Sequence, residues 1–264
     1  MKKKSEIVEQ KKVESINVNF YDTLYKKRNV FFQLIYPFLS FDQQSKANPN
    51  YQTIKFLFKN RTDNKSFNFL DYGFGHGSLL LKIPQKNGLF GCDISTEAVR
   101  NFPRVAKLLG KQVNTFTPPQ LSSQETKFDI ISLSHVLEHV EDDLFLLKEL
   151  AGFLAPNGYV LINVPINEVW EDPKHIRKYT SLSLQNLLKN AGLTVHSIVE
   201  KDKWSAFLLI NEKVEKGNII KKIFFRSLRL LLVLLPESLF KILENMLDDK
   251  FKHQQLIVLA SKHG

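Results

Sequence analysis

The chain has a single cysteine, Cys92. That excludes an internal disulfide and a zinc site built from cysteines, and it fits a reducing compartment. Long apolar runs are missing too. No uncharged stretch approaches the ~20 residues that span a bilayer; the longest apolar run, Leu230 to Leu235, is far shorter. Lys2 to Lys4 lead into Ser5 and Glu6 with no apolar core, so a secretory signal is not expected there. Neither an internal repeat nor a low-complexity segment occurs. Negative charge is in deficit: 27 acidic against 37 basic side chains give a formal charge of +10. That balance favours acidic partners such as nucleic acid, anionic lipid or phosphate-bearing substrates, or else only solvates the surface.

What the chain does have is organised around residues 69–77, Phe-Leu-Asp-Tyr-Gly-Phe-Gly-His-Gly. An apolar run ends at Asp71, and Gly73, Gly75 and Gly77 follow at alternate positions. A strand, a tight turn and a helix start over Ser78 to Ile83 are expected. Glycine there lets backbone approach a ligand and tolerates positive φ.

The remaining chain alternates. Strands are expected at Phe67–Tyr72, Gly88–Cys92, Gln112–Phe116, Phe128–Leu133, Tyr159–Val164, Leu193–Val199 and Gln255–Ala260. Helices are expected at Ser95–Leu109, kinked or ended by Pro103, at Asp142–Leu154, and at Ser181–Ala191 between a Thr180 cap and Gly192. Before the sheet, aromatic residues from Ile16 to Phe41 recur at helical spacing. Asn48-Pro49-Asn50 reads as a break before a helix at Tyr51–Lys59. The pattern predicts an α/β fold with a doubly wound, mostly parallel seven-stranded sheet. Residues 1–60 would form an N-terminal helical extension or lid, and residues 61–264 the main domain. A helical hairpin at about 203–250 interrupts that domain before its last strand. Wound as a helix, Ile219–Leu235 puts Lys222, Arg226 and Arg229 on one side. Ile219, Ile220, Ile223, Phe224, Leu230, Leu231 and Leu234 lie on a wide opposite arc, and Pro236 opens the second arm.

The glycine turn fails as a dinucleotide fingerprint, because Ser78 stands where its third glycine belongs. Asp71-x-Gly73-x-Gly75-x-Gly77 instead resembles the first motif of class I S-adenosylmethionine-dependent methyltransferases. Gly91 to Ser95, Phe128 to Val140, and Leu147 to Gly158 resemble three further motifs in the right order, with Asn157 in place of a more usual glycine. The resemblance covers about residues 66–200. It implies a Rossmann-like methyltransferase fold and S-adenosylmethionine as cofactor.

On that resemblance Asp71, Gly73, Gly75, Gly77, Asp93, Ile94 and Ser134 bind the cofactor. Asp93 suits the ribose diol, because a carboxylate is acceptor-only with two oxygens. Adenine would lie near Phe116, Ser134 and His135, although residues 114–124 lack the family's usual acid. Methyl transfer needs orientation more than acid–base help, and a base only where the acceptor loses a proton. His135, His175 and Tyr179 are the catalytic candidates; Arg177 and His139 are the substrate-contacting ones. Arg177 and Tyr179 serve equally well as pins for their loop. Glu138 and His139 would need a third ligand to hold a metal, as in some quinone-precursor methyltransferases. His135 stands where those carry an acid, and no metal is expected.

The turn after β-strand four is Ser132-Leu133-Ser134-His135, not Asn/Asp-Pro-Pro-aromatic, and Cys92 lies elsewhere. Both features count against nucleic-acid methylation. The expected acceptor is an oxygen or nitrogen of a small, sugar- or lipid-linked metabolite. The expected setting is the cytoplasm, with peripheral membrane contact through residues 217–248. The alternatives are a quinone-precursor-type O-methyltransferase at the membrane surface and a cofactor-binding protein without chemistry.

Overall fold

The computed structural model describes residues 20–23, 25–26, 30–59, 66–170, 172–214 and 219–262. The expectations for residues 1–19, for the boundary at 60–61 and for residues 215–218 lie outside them. One seven-stranded sheet organises the described residues, in the order β3-β2-β1-β4-β5-β7-β6. The strands are β1 (Asn68–Tyr72), β2 (Gly88–Cys92), β3 (Asn114–Phe116), β4 (Phe128–Ser134), β5 (Leu154–Pro165), β6 (Leu193–Lys201) and β7 (Gln255–Lys262). β1 to β5 pair in parallel, while β7 runs antiparallel between β5 and β6. β4 reads Phe-Asp-Ile-Ile-Ser-Leu-Ser and is buried at five of its seven positions, as a central parallel strand covered on both faces must be.

Helices cover both faces. α1 (Val30–Leu39) and α2 (Phe41–Lys59) precede the sheet; α3 (Thr96–Leu108) and the single turn α4 (Pro118–Leu121) follow β2 and β3. α5 (Asp143–Gly152) and α6 (Ser181–Asn190) pack on one face through Leu146, Leu147, Leu150, Leu184 and Leu188. α2 and α3 pack on the other through Ile54, Ala98 and Phe102. Ser95 and Thr180 cap α3 and α6 as expected, accepting amide protons from Ala98 and Ser183.

Three local expectations fail. Residues 78–83 form successive turns, not a helix, because Pro84 disfavours helical geometry at Ile83. Asn48-Pro49-Asn50 does not break α2, which runs unbroken from Phe41 to Lys59, while Pro103, expected to kink or end α3, lies inside that helix without ending it. An interior proline costs about 3 kcal/mol. In α2, burial of Phe41, Gln44, Ala47, Asn50 and Ile54 along one face opposes that cost. Residues 154–158 belong to β5 rather than ending a helix, and the pairing with β4 shifts register there.

Among the described residues the insertion before β7 holds three helices: α7 (Lys203–Val214), α8 (Ile219–Leu234) and α9 (Glu237–Asn245), with Pro236 at the N-cap of α9. Phe41, Trp204, Leu208, Phe225 and Leu232 form its small core. The apolar arc of α8 is exposed, from 44% at Leu230 to 74% at Ile220. Among the described residues no helix is long and apolar enough to cross a membrane.

Candidate active site

The donor turn is built by β1 and β2 together. Gly73, Gly75 and Gly77 all have positive φ, at 76°, 53° and 70°. Two of them are glycine for internal reasons. A Cβ on Gly73 would meet Val136 Cγ2 at 2.4 Å, and one on Gly77 would meet the Phe102 ring at 2.0 Å. Gly75 is more open; its nearest neighbour is the Tyr25 hydroxyl at 3.1 Å. The Gly73 amide donates to the Cys92 carbonyl at 2.7 Å, and the Gly75 amide to Asp93 Oδ2 at 2.9 Å. Asp93 Oδ1 accepts the Ser95 amide at 2.9 Å. Burial pushes the Asp93 carboxyl up to about 6 and the Asp71 carboxyl, beneath the turn, up to about 7. Ile94 is partly exposed beside Asp93, and the Asp93 amide donates to Phe116 O, which brings the end of β3 to the same place. Cys92 is buried on β2, and burial pushes its thiol up, so it offers no nucleophile.

Residues 20–23, 25 and 26 lie across this turn. Asp22 accepts from the Ser95 hydroxyl at 2.6 Å and from the Thr96 hydroxyl at 3.1 Å. Tyr25 packs edge-on against His76. This cover was legible in the sequence only as an aromatic helix; nothing marked Asp22 as its anchor.

Beside the turn, at the C-terminal ends of β4 and β5, lies a chamber of about 690 Å³. Open α/β sheets bind ligands at that edge. Polar groups make up about half of its wall, among them Asp42, Lys46, His135, Glu168, His175 and Gln255. His135 ends β4 with a φ of 55°, a strained geometry for a non-glycine residue. Its amide is fixed to Asn163 O at 2.8 Å, and its Nε2 is buried with no partner. Burial first, and the Lys46 ammonium second, hold its imidazole below the ordinary value. Nδ1 lies 3.3 Å from Glu138 Oε1, off the ring N–H direction. Against the upward push of burial, His135 and His139 hold the Glu138 carboxyl down.

His175 is brought to the same chamber by the loop after β5. The Ile176 amide donates to Glu138 O at 2.9 Å, and the His175 and His139 rings meet edge-on with centroids 4.8 Å apart. His175 Nδ1 sits 2.6 Å from Glu168 Oε1. Sequence reading missed Glu168, since it precedes the histidine by seven positions with no regular element between. It also missed the floor of the chamber. There Gln255 donates to Asp202 Oδ2 at 2.7 Å and accepts from Asn163 Nδ2 at 2.8 Å. Ser134 contributes a buried, unpartnered hydroxyl. The sequence offered no third metal ligand for Glu138 and His139, but the fold does. Ligand atoms of Glu138, His139 and His175 lie within 4.8 Å of one another, so a divalent cation could bridge them.

Tyr179 and Arg177 correct the expectation. Neither lines the chamber. The Tyr179 hydroxyl bonds Asp143 Oδ2 at 2.7 Å and Leu137 O at 3.2 Å. Burial first, and the Asp143 carboxylate second, push its phenol up. Arg177 pairs with the same Asp143 and donates to Glu141 O. Both side chains pin the His175 loop to the start of α5, through Asp143 in its first turn. His139 does reach the chamber wall, with Nδ1 3.1 Å from Lys174 O.

A family model described as a methyltransferase domain matches residues 41–198. The chain belongs to the class I S-adenosylmethionine-dependent methyltransferases. Its cofactor is S-adenosylmethionine. No curated protein sequence matches it significantly. Solved structures share the methyltransferase fold at low identity. Magnesium protoporphyrin IX methyltransferase from Synechocystis PCC 6803, with bound SAM, is 14% identical, with TM-score 0.56 over 95% of this chain and 97% of that one. The Burkholderia thailandensis 1,6-didemethyltoxoflavin-N1-methyltransferase is 15% identical, with TM-score 0.51 over 84% and 80%. The [4+2]-cyclase SpnF is 14% identical, with TM-score 0.54 over 80% and 81%. In this methyltransferase the sheet order is that of the fold.

Proposed function

We propose that this methyltransferase transfers the methyl group of S-adenosylmethionine to an oxygen or nitrogen of a small, sugar- or lipid-linked acceptor held in the polar chamber. Asp93 receives the ribose hydroxyls, and the Gly75 side of the turn receives the donor backbone. Asp71 orders the turn from below, with Gly73, Gly77, Ile94 and Ser134 completing the donor site. The acceptor lone pair attacks the sulfonium methyl in line. The new bond to carbon forms as the S–CH3 bond breaks, the sulfur keeps the electron pair, and S-adenosylhomocysteine leaves. His135 takes the acceptor proton on Nε2. His175, with Glu168 against Nδ1, is the second base and orients the acceptor with His139.

One observation carries this reading: His135 Nε2 is buried and unpartnered at the end of β4, in the chamber wall, on an imidazole that burial holds below its ordinary value. In the same reading residues 1–60 act as a lid and residues 61–264 as the catalytic domain. The enzyme works in the cytoplasm and touches the membrane surface peripherally through residues 217–248. Exposed Ile219, Ile220, Ile223 and Phe224 beside Lys222 and Arg226 support that contact.

The test is S-adenosylhomocysteine release across an acceptor screen, by wild type and His135→Ala. Release that His135→Ala lowers by about 10²–10⁴ supports the base. Equal release by both proteins would remove it. Calorimetric binding of S-adenosylmethionine with no release for any acceptor class would favour a binding protein without chemistry.

A further inference from the structure

Between α1 and α8 lies a second cavity, of about 510 Å³. One wall is Phe31, Phe32, Ile35 and Leu39, and the other is Leu230 with Arg226 and Arg229. Its inner end is formed by Phe41 and Asp42 at the start of α2. Asp42 also lines the polar chamber. The two spaces therefore meet at one side chain, and their chemistry is opposite. The chamber is walled by carboxylates, imidazoles and an ammonium; the groove is walled by aromatic and aliphatic carbon with two guanidinium groups.

We infer that the groove between α1 and α8 binds the hydrocarbon tail of an amphipathic, membrane-resident acceptor, with an anionic linker read by Arg226 and Arg229. The inference rests on the chamber being the acceptor site. Its volume accommodates on the order of fifteen methylene-sized groups at about 30 Å³ each. Leu230 in the groove wall belongs to the exposed apolar arc of α8, whose Ile219, Ile220, Ile223 and Phe224 are each more than half exposed. α8 carries Lys221, Lys222, Arg226 and Arg229 and no acid. Glu212 holds Arg229 at 2.7 Å. Arg226 is exposed and, among the described residues, has no acidic partner. A helix that is apolar and basic suits an anionic bilayer interface. The same charge argues against a second copy of this face, which would set four cations against four.

The test uses the full chain and monomeric dodecyl phosphate, titrated by calorimetry, with inorganic phosphate and dodecyl maltoside as controls. Wild type is expected to show one saturable site for dodecyl phosphate and none for inorganic phosphate. Leu230→Glu is expected to weaken it at least tenfold. Arg226→Glu should weaken dodecyl phosphate roughly fivefold, the size of one solvent-accessible charge interaction, and leave dodecyl maltoside unchanged. S-Adenosylmethionine affinity within twofold of wild type in both variants shows that the fold is intact. Unsaturable binding, or binding unchanged in Leu230→Glu, would overturn the proposal. So would sedimentation with phosphatidylglycerol vesicles without any binding of the monomeric amphiphile, which would make α8 a docking face only. A dimer dissolved by Leu230→Glu, with no amphiphile bound, would give the groove to a second copy. Saturable tail binding in a protein that does not bind S-adenosylmethionine would support the groove while removing the methyl-transfer reading.

Discussion

Asp93 Oδ2 accepts the amide proton of Gly75 at 2.9 Å, while its Oδ1 accepts that of Ser95 at the same distance. One carboxylate thus fixes the donor turn to the start of α3 and remains the acceptor nearest the open side of Gly75. Asp93→Ala removes both the brace and the diol acceptor. Hydrogen bonds to a charged group are worth about 1.5–3 kcal/mol each, so S-adenosylmethionine affinity should fall by at least roughly 30-fold in calorimetry. Undiminished affinity would end the assignment of Asp93.

Three glycines with positive φ, Gly73, Gly75 and Gly110, should respond unequally to alanine. Gly73→Ala drives a Cβ into Val136 at 2.4 Å in a left-handed conformation. Strain of about 1–2 kcal/mol and overpacking of about 1–3 kcal/mol add, and thermal unfolding should drop sharply. Gly110→Ala has the same φ problem at +73° but nothing within 4 Å, so only the strain remains. Gly75→Ala should resemble Gly110→Ala in stability yet lose donor affinity. Equal melting temperatures for Gly73→Ala and Gly110→Ala would contradict the packing account.

Tyr179→Phe should act on stability, not on turnover. It removes a hydroxyl bonded to Asp143 and Leu137 and leaves two acceptors with one partner fewer, at about 1–2 kcal/mol. Denaturant unfolding should register that loss while kcat stays within about threefold. A drop in kcat of a hundredfold or more with unchanged stability would return the phenol to the chemistry.

The buried Asp71 gives a pH signature. Its folded value, about 7, lies above the ordinary carboxylate value of 3.8, so the folded state holds the proton more tightly than the unfolded chain. That contribution is fully present below about pH 4 and is lost as pH rises through about 7. Asp71→Asn does not titrate. Its melting temperature relative to wild type should therefore rise by several degrees, roughly, between pH 4 and pH 7. A difference that stays flat across that range would show that Asp71 keeps its ordinary value.

His135 gives a second signature, in rate. Burial lowers its imidazole, so the acid limb of kcat/KM should lie below the usual imidazole range. His135→Ala should abolish that limb together with most of the rate. A limb at the ordinary value, persisting in His135→Ala, would move the base elsewhere.

Where local signals and tertiary packing agree, the sequence is a good guide. The Thr180 cap, Gly192 past α6, and the strand ends at Asp71 and Asp93 are each specified by a few adjacent residues. Three kinds of feature escape it. Pro49 and Pro103 mark breaks by local rule, but whole-face burial keeps their helices intact. Glu168 meets His175, and Gln255 meets Asp202, through loops that carry no period. α8 shows the third kind. Periodicity finds its apolar arc but cannot choose the buried face of a helix that is apolar over most of its circumference. Phe225 and Leu232 go in, and Ile220 and Leu231 stay out.

The sheet order also bears on how the chain reaches its folded state during synthesis. β6 pairs with β7 alone, and β7 enters between β5 and β6. When β6 emerges from a ribosome it has no strand to join, and it must wait for the whole three-helix insertion and then for residues 255–262. The chamber floor waits with it, because Gln255 is what links Asn163, Asp202 and the Ser45 carbonyl. The parallel half that carries the donor turn can assemble early, whereas the acceptor side closes only as the last strand threads into its slot.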